Sequence, residues 1–597
     1  MKKTIYILII ILMVISSCKK DVLDKVPLNL ITDATVWSDP ALVNAYLTEC
    51  YAETYVFANV SYDNDWSHLW LGDAGPAAMN ISEISDEGKS TWFGFSYKYG
   101  QLKIGGGLFE WWEPSYKVIR MLNEFIARVP DSPLDAAIKK QRTAEARWLR
   151  AFNYFEMVKR YGGVPLITVA QSTALPNDSL YPPRNKEQEV YDFVIAESGS
   201  SSSDLPETGV DVSSPTKYAA LALKCRAALY AGSIAQNGTV QLSGVVGIDA
   251  TKATSYYQQA YDAAQLIITG GKYSLYNKYP GDKVKNFRNL FMEKNNSEGI
   301  FGKKHDNTNG QGNGGNGWAY DFFNCPYPNG WGAGNECGPF LEMAEEFDHI
   351  DGSSGKLDRA VIQQGLWTPD ELWANKDPRF FATLYTQNTS WKGTLLDWHK
   401  GIIKPDGSMQ TDGSYNGILA NGTQNVNGTG FGVLKYVDEA HGNLIGLNGD
   451  WATSSTDWLV FRYGEVLLNY AEAALALGKS GDALDAVNQI RDRAGIAPLT
   501  SITQDQYRHE RKVELAFEGH RYWDLRRWRT AVTLLSQNTS GLRYILDFAT
   551  GKYKLMVIEN IEGTVTPPAF YPQNYYLPIT LARTGNNPNL VENPGYQ

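Results

Sequence analysis

The chain has 597 residues, a net charge of −10 and a pI near 5.4, which excludes a nucleic-acid binder because phosphates demand a basic footprint. Its length allows several domains or one long helical-repeat body. Aromatic residues make up 12%, with 17 Trp and 35 Tyr, and such flat faces suit cores and sugar rings alike.

The first residues read as an export signal. Met1-Lys2-Lys3 is cationic, Ile5 to Ile15 is an apolar run of 11, and Ile15-Ser16-Ser17-Cys18 follows. The run is short for a bilayer span and long enough for a signal peptide; a short N-terminal anchor is the alternative. The Ile-Ser-Ser-Cys ending resembles a bacterial lipobox, which implies lipidation of Cys18 and a body tethered to the membrane.

Helical periodicity begins at Ala41 to Tyr55, after Ser38-Asp39-Pro40. It breaks from Ala58 to Gly107, where Asp65, Trp66, Trp70, Asp73, Trp92 and Phe93 lie among Gly, Asn and Ser, a long decorated loop region. Helices are expected again at Phe109 to Val129, opened by core-packing Trp111 and Trp112, and at Leu134 to Tyr161, stopped by Gly162-Gly163. Lys186 to Leu205, Lys217 to Ser233 and Thr251 to Thr269 follow, the second rich in alanines that permit close helix approach.

Residues 295–458 are dense in Gly, Asn and Asp, with short β-like runs such as Phe431 to Val437. Trp318, Tyr320, Tyr327, Trp331 and Asn335 form a second aromatic cluster there, beside Asn309 to Gly317. Aromatic platforms next to Asp or Asn read both the C–H faces and the hydroxyls of a sugar, at about 1 kcal/mol per stack; the alternative is that these rings pin loops to the body. Cys325 and Cys337 bracket a Gly- and Pro-rich stretch where either a disulfide or two thiols fits. Cys50 and Cys225 fall in helical patterns as buried thiols.

Arg462 to Gly495 spans 34 residues and holds two helices around Gly478-Lys479-Ser480-Gly481, the size of a tetratricopeptide unit. Tyr507 to Thr530 then organises the end of the chain. Glu510, Glu514 and Glu518 recur at helical spacing beside Val513, Ala516 and Phe517, with Gly519 as the stop. Paired carboxylates can hydrolyse a sugar bond, but acids interleaved with arginines read as ion pairs, a structural latch. No phosphate loop, GxSxG elbow, HExxH or metal-spaced histidine cluster occurs, so no metal or other cofactor is expected.

The run RHERKVELAFEGHRYWDLRRW resembles the C-terminal signature of the SusD/RagB family of outer-membrane glycan-binding lipoproteins, and EARWLRAFNYFEMVKRYGGVPL, Glu145 to Leu166, resembles the same family. So do Tyr575 to Ile579 and Asn587 to Tyr596. The resemblance implies an all-α, tetratricopeptide-like scaffold of helix pairs decorated with long loops and short β segments. It divides the chain into a signal peptide (1–17), an N-terminal helical region with contact loops (18–294), a loop-rich insert (295–457) and a C-terminal helical region (458–597). It further implies a lipid-anchored protein on the extracellular face of the outer membrane, not an enzyme, which captures oligosaccharides or polysaccharides for a SusC-like TonB-dependent transporter. Peptide cargo and a surface glycoside hydrolase are the alternatives. Family contacts vary with the glycan, so the ligand-binding candidates rest on this sequence alone: Asp65, Trp66, Trp70, Asp73, Trp92, Trp318, Tyr320 and Trp331. The acidic net charge disfavours a strongly anionic glycan unless a local basic patch reverses it.

Overall fold

A computed structural model of the protein describes residues 33–54, 81–90, 98, 111–308, 317–326, 337–411, 428–441, 453–563 and 567–596. Cys18 and the signal segment lie outside them.

Helix α1, Pro40–Glu53, starts where Asp39 accepts a bond from the Ala41 N–H and Pro40 presets the first turn. After strand β1, Gly88–Ser90, come α2 (Trp112–Arg128) and α3 (Ala136–Tyr161). Trp111 and Trp112 are buried, as their apolar setting requires. Gly162, at φ 75°, ends α3 in a backbone region that a side chain disfavours. Next follow α4 (Glu187–Ser202), α5 (Lys217–Asn237) and α6 (Ala253–Gly270). Thr216 caps α5 through the Ala219 N–H. Ala219, Ala220, Ala222, Ala227, Ala228 and Ala231 are all buried, so α5 packs closely against both α4 and α6.

Helix α7 (Lys283–Met292) leads into β2 (Gly299–Lys303), which pairs antiparallel with β3 (Trp458–Arg462). The long excursion between them thus leaves and returns on one ribbon. Beyond it, α8 (Tyr463–Ala476) packs against α6, and α9 (Ser480–Ala494) and α10 (Gln504–Glu514) pack against α8. The helix stack is therefore continuous across the insert, in the helix-rich architecture that the sequence implies. Among the described residues no helix is long and apolar enough to cross a membrane.

A sheet adds what periodicity did not reveal. Strands Gly541–Asp547 and Tyr553–Ile558 form a hairpin, and insert strands Leu366–Trp367, Ile402–Ile403 and Met409–Gln410 complete five strands. Insert and C-terminal region share this sheet.

The latch differs in detail from its sequence reading. Helix α10 ends at Glu514 rather than at Gly519, and Phe517 stands at φ 59°. The Phe517 N–H donates to Glu87 Oε1 of a distant segment, so the helical ladder is not continued. The partners of the three glutamates also come from afar. Glu510 accepts from Arg379 and Arg491 at 2.6 and 2.8 Å, and Glu514 from Arg379, Arg462 and Arg493. Glu518 accepts from Arg462 and Lys435 at 2.6 and 2.9 Å. Glu298 joins through Arg462 and Arg493, and Asp377 through Arg379. Five carboxylates thus meet five cations in a buried, charge-balanced lattice. Burial alone would raise the Glu514 carboxyl, but Arg493, Arg462 and Arg379 hold it well below the usual range.

The helix Arg521–Arg527 meets α3. Trp523 lies under Lys159, Arg160 and Arg526 at 4.5, 4.8 and 4.8 Å. The two segments that carry the strongest family resemblance are thus each other's packing partners.

Candidate functional site

Segment 81–90 separates the two stretches that hold Asp65, Trp66, Trp70 and Asp73 on one side and Trp92 on the other. It is bolted to the latch. Asp86 pairs with Arg521 at 2.7 Å and Lys512 at 3.0 Å, and Lys98 donates to the Glu83, Ser85 and Gly88 carbonyls while pairing with Glu562 at 2.9 Å. Burial alone would raise the Asp86 carboxyl, but Arg521 and Lys512 keep it far below its ordinary range. Glu87 has no such cation. Burial pushes its carboxyl up from 4.5 to about 7 despite the Phe517 N–H.

That difference has a sign in pH. A raised carboxyl costs nothing below 4.5, where folded and unfolded chains both hold the proton, and costs progressively more as pH rises through about 7. Glu87→Gln is therefore expected to leave the melting temperature unchanged near the acid end and to raise it relative to the parent above neutrality. A pH-independent difference in thermal melts would contradict this account.

Strand β1 pairs antiparallel with Cys337–Pro339, Ser90 facing Cys337. The chain leaves the described region after Ser90 towards Trp92, and re-enters at Cys337 after Trp331 and Asn335. The two aromatic-rich stretches, far apart in sequence, therefore start and finish side by side. Three further junctions share this frame. Gly317 N–H donates to the Thr308 carbonyl at 2.8 Å, closing segment 309–316. Trp318 and Ser454 exchange backbone bonds at 3.1 and 2.9 Å. His441 lies 2.7 Å from Asp321 Oδ2 through Nδ1 and 3.1 Å from Thr453 Oγ1 through Nε2, closing segment 442–452. The Asp321 bond raises the His441 imidazole above its ordinary value.

Of the sequence candidates, Asp65, Trp66, Trp70, Asp73, Trp92 and Trp331 lie outside the described residues. Trp318 and Tyr320 are corrected from platform to core: they are 4% and 0% exposed. Trp318 stacks on His305 and on Tyr320 with centroids 4.7 Å apart in each case and meets Trp458 edge-on, while Tyr320 donates its hydroxyl to the Lys435 carbonyl. Burying two large rings against others gains more than leaving them wet. Cys325 and Cys337 are not joined by a disulfide; both are buried, Cys337 in the strand facing Ser90. Among the described residues no cluster of three or more His, Cys, Asp or Glu is arranged for a metal. The Asp321–His441 clasp and the Ser90–Cys337 pairing were not foreseen, since no periodic signal links residues so far apart.

A family model described as "SusD family" matches residues 297–596, just over half of the chain, and one described as "Starch-binding associating with outer membrane" matches residues 97–229. The chain belongs to the SusD family. It is similar over its whole length to SusD-like protein P2 of Formosa agariphila, 24% identical over 622 aligned residues that cover 100% of both chains. A SusD-like protein of Bacteroides fragilis shares the fold, with TM-score 0.72, 24% identity, and coverage of 96% of this chain and 100% of that one. A structure described as a laminarin-binding SusD-like protein also shares it, with TM-score 0.59, 20% identity, and coverage of 94% and 100%.

Proposed function

We propose that this protein is a lipid-anchored, outward-facing binder that captures oligosaccharides in the stretches departing from the Ser90–Cys337 frame and passes them to a SusC-like TonB-dependent transporter. The observation that supports this reading is the β1 pairing, which sets Ser90, just before Trp92 in the sequence, opposite Cys337, just after the Trp331 stretch. The laminarin-binding neighbour and the starch-binding family description support a glycan as cargo. Capture takes place without chemistry: the carboxylates of the latch are each engaged by buried cations, so none is available as acid or base.

The test is calorimetry of the full chain in detergent against neutral and acidic polysaccharides. Trp92→Ala and Trp331→Ala are each expected to weaken binding about fivefold, as loss of one stack of ~1 kcal/mol implies, with melting unchanged. Binding of peptides but no glycan, or glycan cleavage that persists in the purified protein, would overturn the reading. Co-purification of a TonB-dependent barrel with the tagged protein from outer membranes checks the partner.

A further inference from the structure

A cleft of about 400 Å³ opens at the C-terminal end of α5, between the turn that follows Asn237 and the last stretch of the chain, which lends Gln573, Tyr575 and Tyr576 to its wall. None of these residues belongs to the Ser90–Cys337 frame. Among the described residues that line the cleft, Arg529 alone is charged. It is held there at a cost. It follows the helix Arg521–Arg527 at φ 57°, the left-handed position that glycine usually takes at a helix end. Its guanidinium lies over the Tyr575 and Tyr576 rings at 4.5 and 5.0 Å.

The bonds of Arg529 leave one edge of the fork unused. Nη1 donates to the Arg526 carbonyl at 3.2 Å and Nη2 to the Tyr576 hydroxyl at 2.5 Å, and that hydroxyl donates in turn to Glu187 Oε2 at 2.8 Å. The same Glu187 oxygen accepts from the Gly247 N–H at 2.5 Å, so one carboxylate fixes both the tyrosine and the turn. Arg529 itself bonds no carboxylate among the described residues, and Nε has no partner there. Gly238 stands against this side: a Cβ on it would lie 3.5 Å from both Nε and Nη2. Its missing side chain leaves the Nε–Nη2 edge open to the cleft that both residues line. Buried Arg526 bonds the Arg160 and Tyr575 carbonyls and likewise no carboxylate, so a second positive charge stands beside Tyr575. The Nε–Nη2 edge presents two parallel N–H donors, which match the two oxygens of a carboxylate. The side-chain amides of Asn237, Gln241 and Gln573, beside a tyrosine face, favour a hydroxyl-rich ligand over a peptide.

We propose that this cleft binds a uronate residue of an acidic saccharide, its carboxylate on the Nε–Nη2 edge of Arg529 and its hydroxyls on Asn237, Gln241 and Gln573. The saccharide class rests on the capture reading above; the place of the site and its carboxylate partner do not. Arg529 with Arg526 also reverses locally what the net charge of −10 disfavours globally.

The experiment is calorimetry of the full chain in detergent with trigalacturonate, its uncharged methyl ester, laminarin and a triglutamate peptide. The parent is expected to bind trigalacturonate, and the ester about tenfold more weakly, as loss of a charge-assisted pair implies. Arg529→Lys keeps the charge but not the fork and should lose about tenfold for the acid. Thr239→Asp sets an acid at an exposed position of the same wall and should weaken the acid about fivefold, more at about 0.02 M than at about 0.5 M salt, where exposed charges are screened. Thr239 is outside the packing around Arg529, so this variant decides the matter where Arg529→Lys melts early. Equal affinity for acid and ester, or acid binding indifferent to both variants, overturns the site alone. Binding of triglutamate in place of trigalacturonate, lost in both variants, overturns the saccharide as its ligand. Laminarin binding that Trp92→Ala weakens, with neither galacturonate bound, overturns the site and leaves the capture reading standing. No binding across these glycans and the wider polysaccharide panel overturns the site together with its premise.

Discussion

Glutamine in place of Glu514 is expected to destabilise the protein by about 3–5 kcal/mol, the cost of breaking a buried ion-pair system from one side. The side chain keeps its volume, but the lattice of five acids and five cations is left with one positive charge in excess, and Arg462, Arg493 and Arg379 lose an acceptor. Denaturant unfolding measures the loss. A second change that removes a cation, Arg493→Met, should restore part of it, and the double-mutant cycle gives the coupling. The acid limb carries a further sign. Because the Glu514 carboxyl is held below its ordinary 4.5, its contribution is complete above that value and disappears as pH falls towards the depressed one. The parent should therefore lose stability on acidification more steeply than Glu514→Gln. A loss below about 1 kcal/mol at neutral pH, the range of solvated surface pairs, would show that water reaches the lattice.

Removing the Trp318 ring by Trp318→Ala is expected to cost a further large amount, about 3–5 kcal/mol, because it empties a site packed by His305, Tyr320 and Trp458. Trp318→Phe should recover much of this. Quenching by a neutral quencher should leave the emission that is lost in Trp318→Ala inaccessible in the parent. The opposite outcome, unchanged unfolding with glycan binding abolished, would return Trp318 to the role of an exposed platform.

These two residues mark where sequence reading succeeds and where it stops. The Glu510, Glu514 and Glu518 spacing correctly pointed to ion pairing, because helical spacing and residue chemistry are local. The identity of the partners was not legible: Arg379, Lys435, Arg462, Arg491 and Arg493 reach the acids through packing of distant elements. Trp318 shows the converse. A tryptophan beside a glycine-rich tract has the same composition whether it faces solvent or stacks on His305, and only the fold chose between them. The hairpin Gly541–Asp547 with Tyr553–Ile558 was likewise unread, since its apolar runs Tyr544 to Leu546 and Leu555 to Ile558 are continuous and show no period of two.

By itself the sequence determined the helix-rich scaffold, its main helices to within a few residues, and its family, because periodicity, caps and long motifs are properties of contiguous residues. The tertiary structure decided that α6 continues onto α8 across the insert, that Ser90 faces Cys337, and that Arg379, Arg462 and Arg493 converge on Glu514. Each depends on which distant backbone edges pair and which charges meet once they do, a balance of burial and electrostatics that no local pattern encodes.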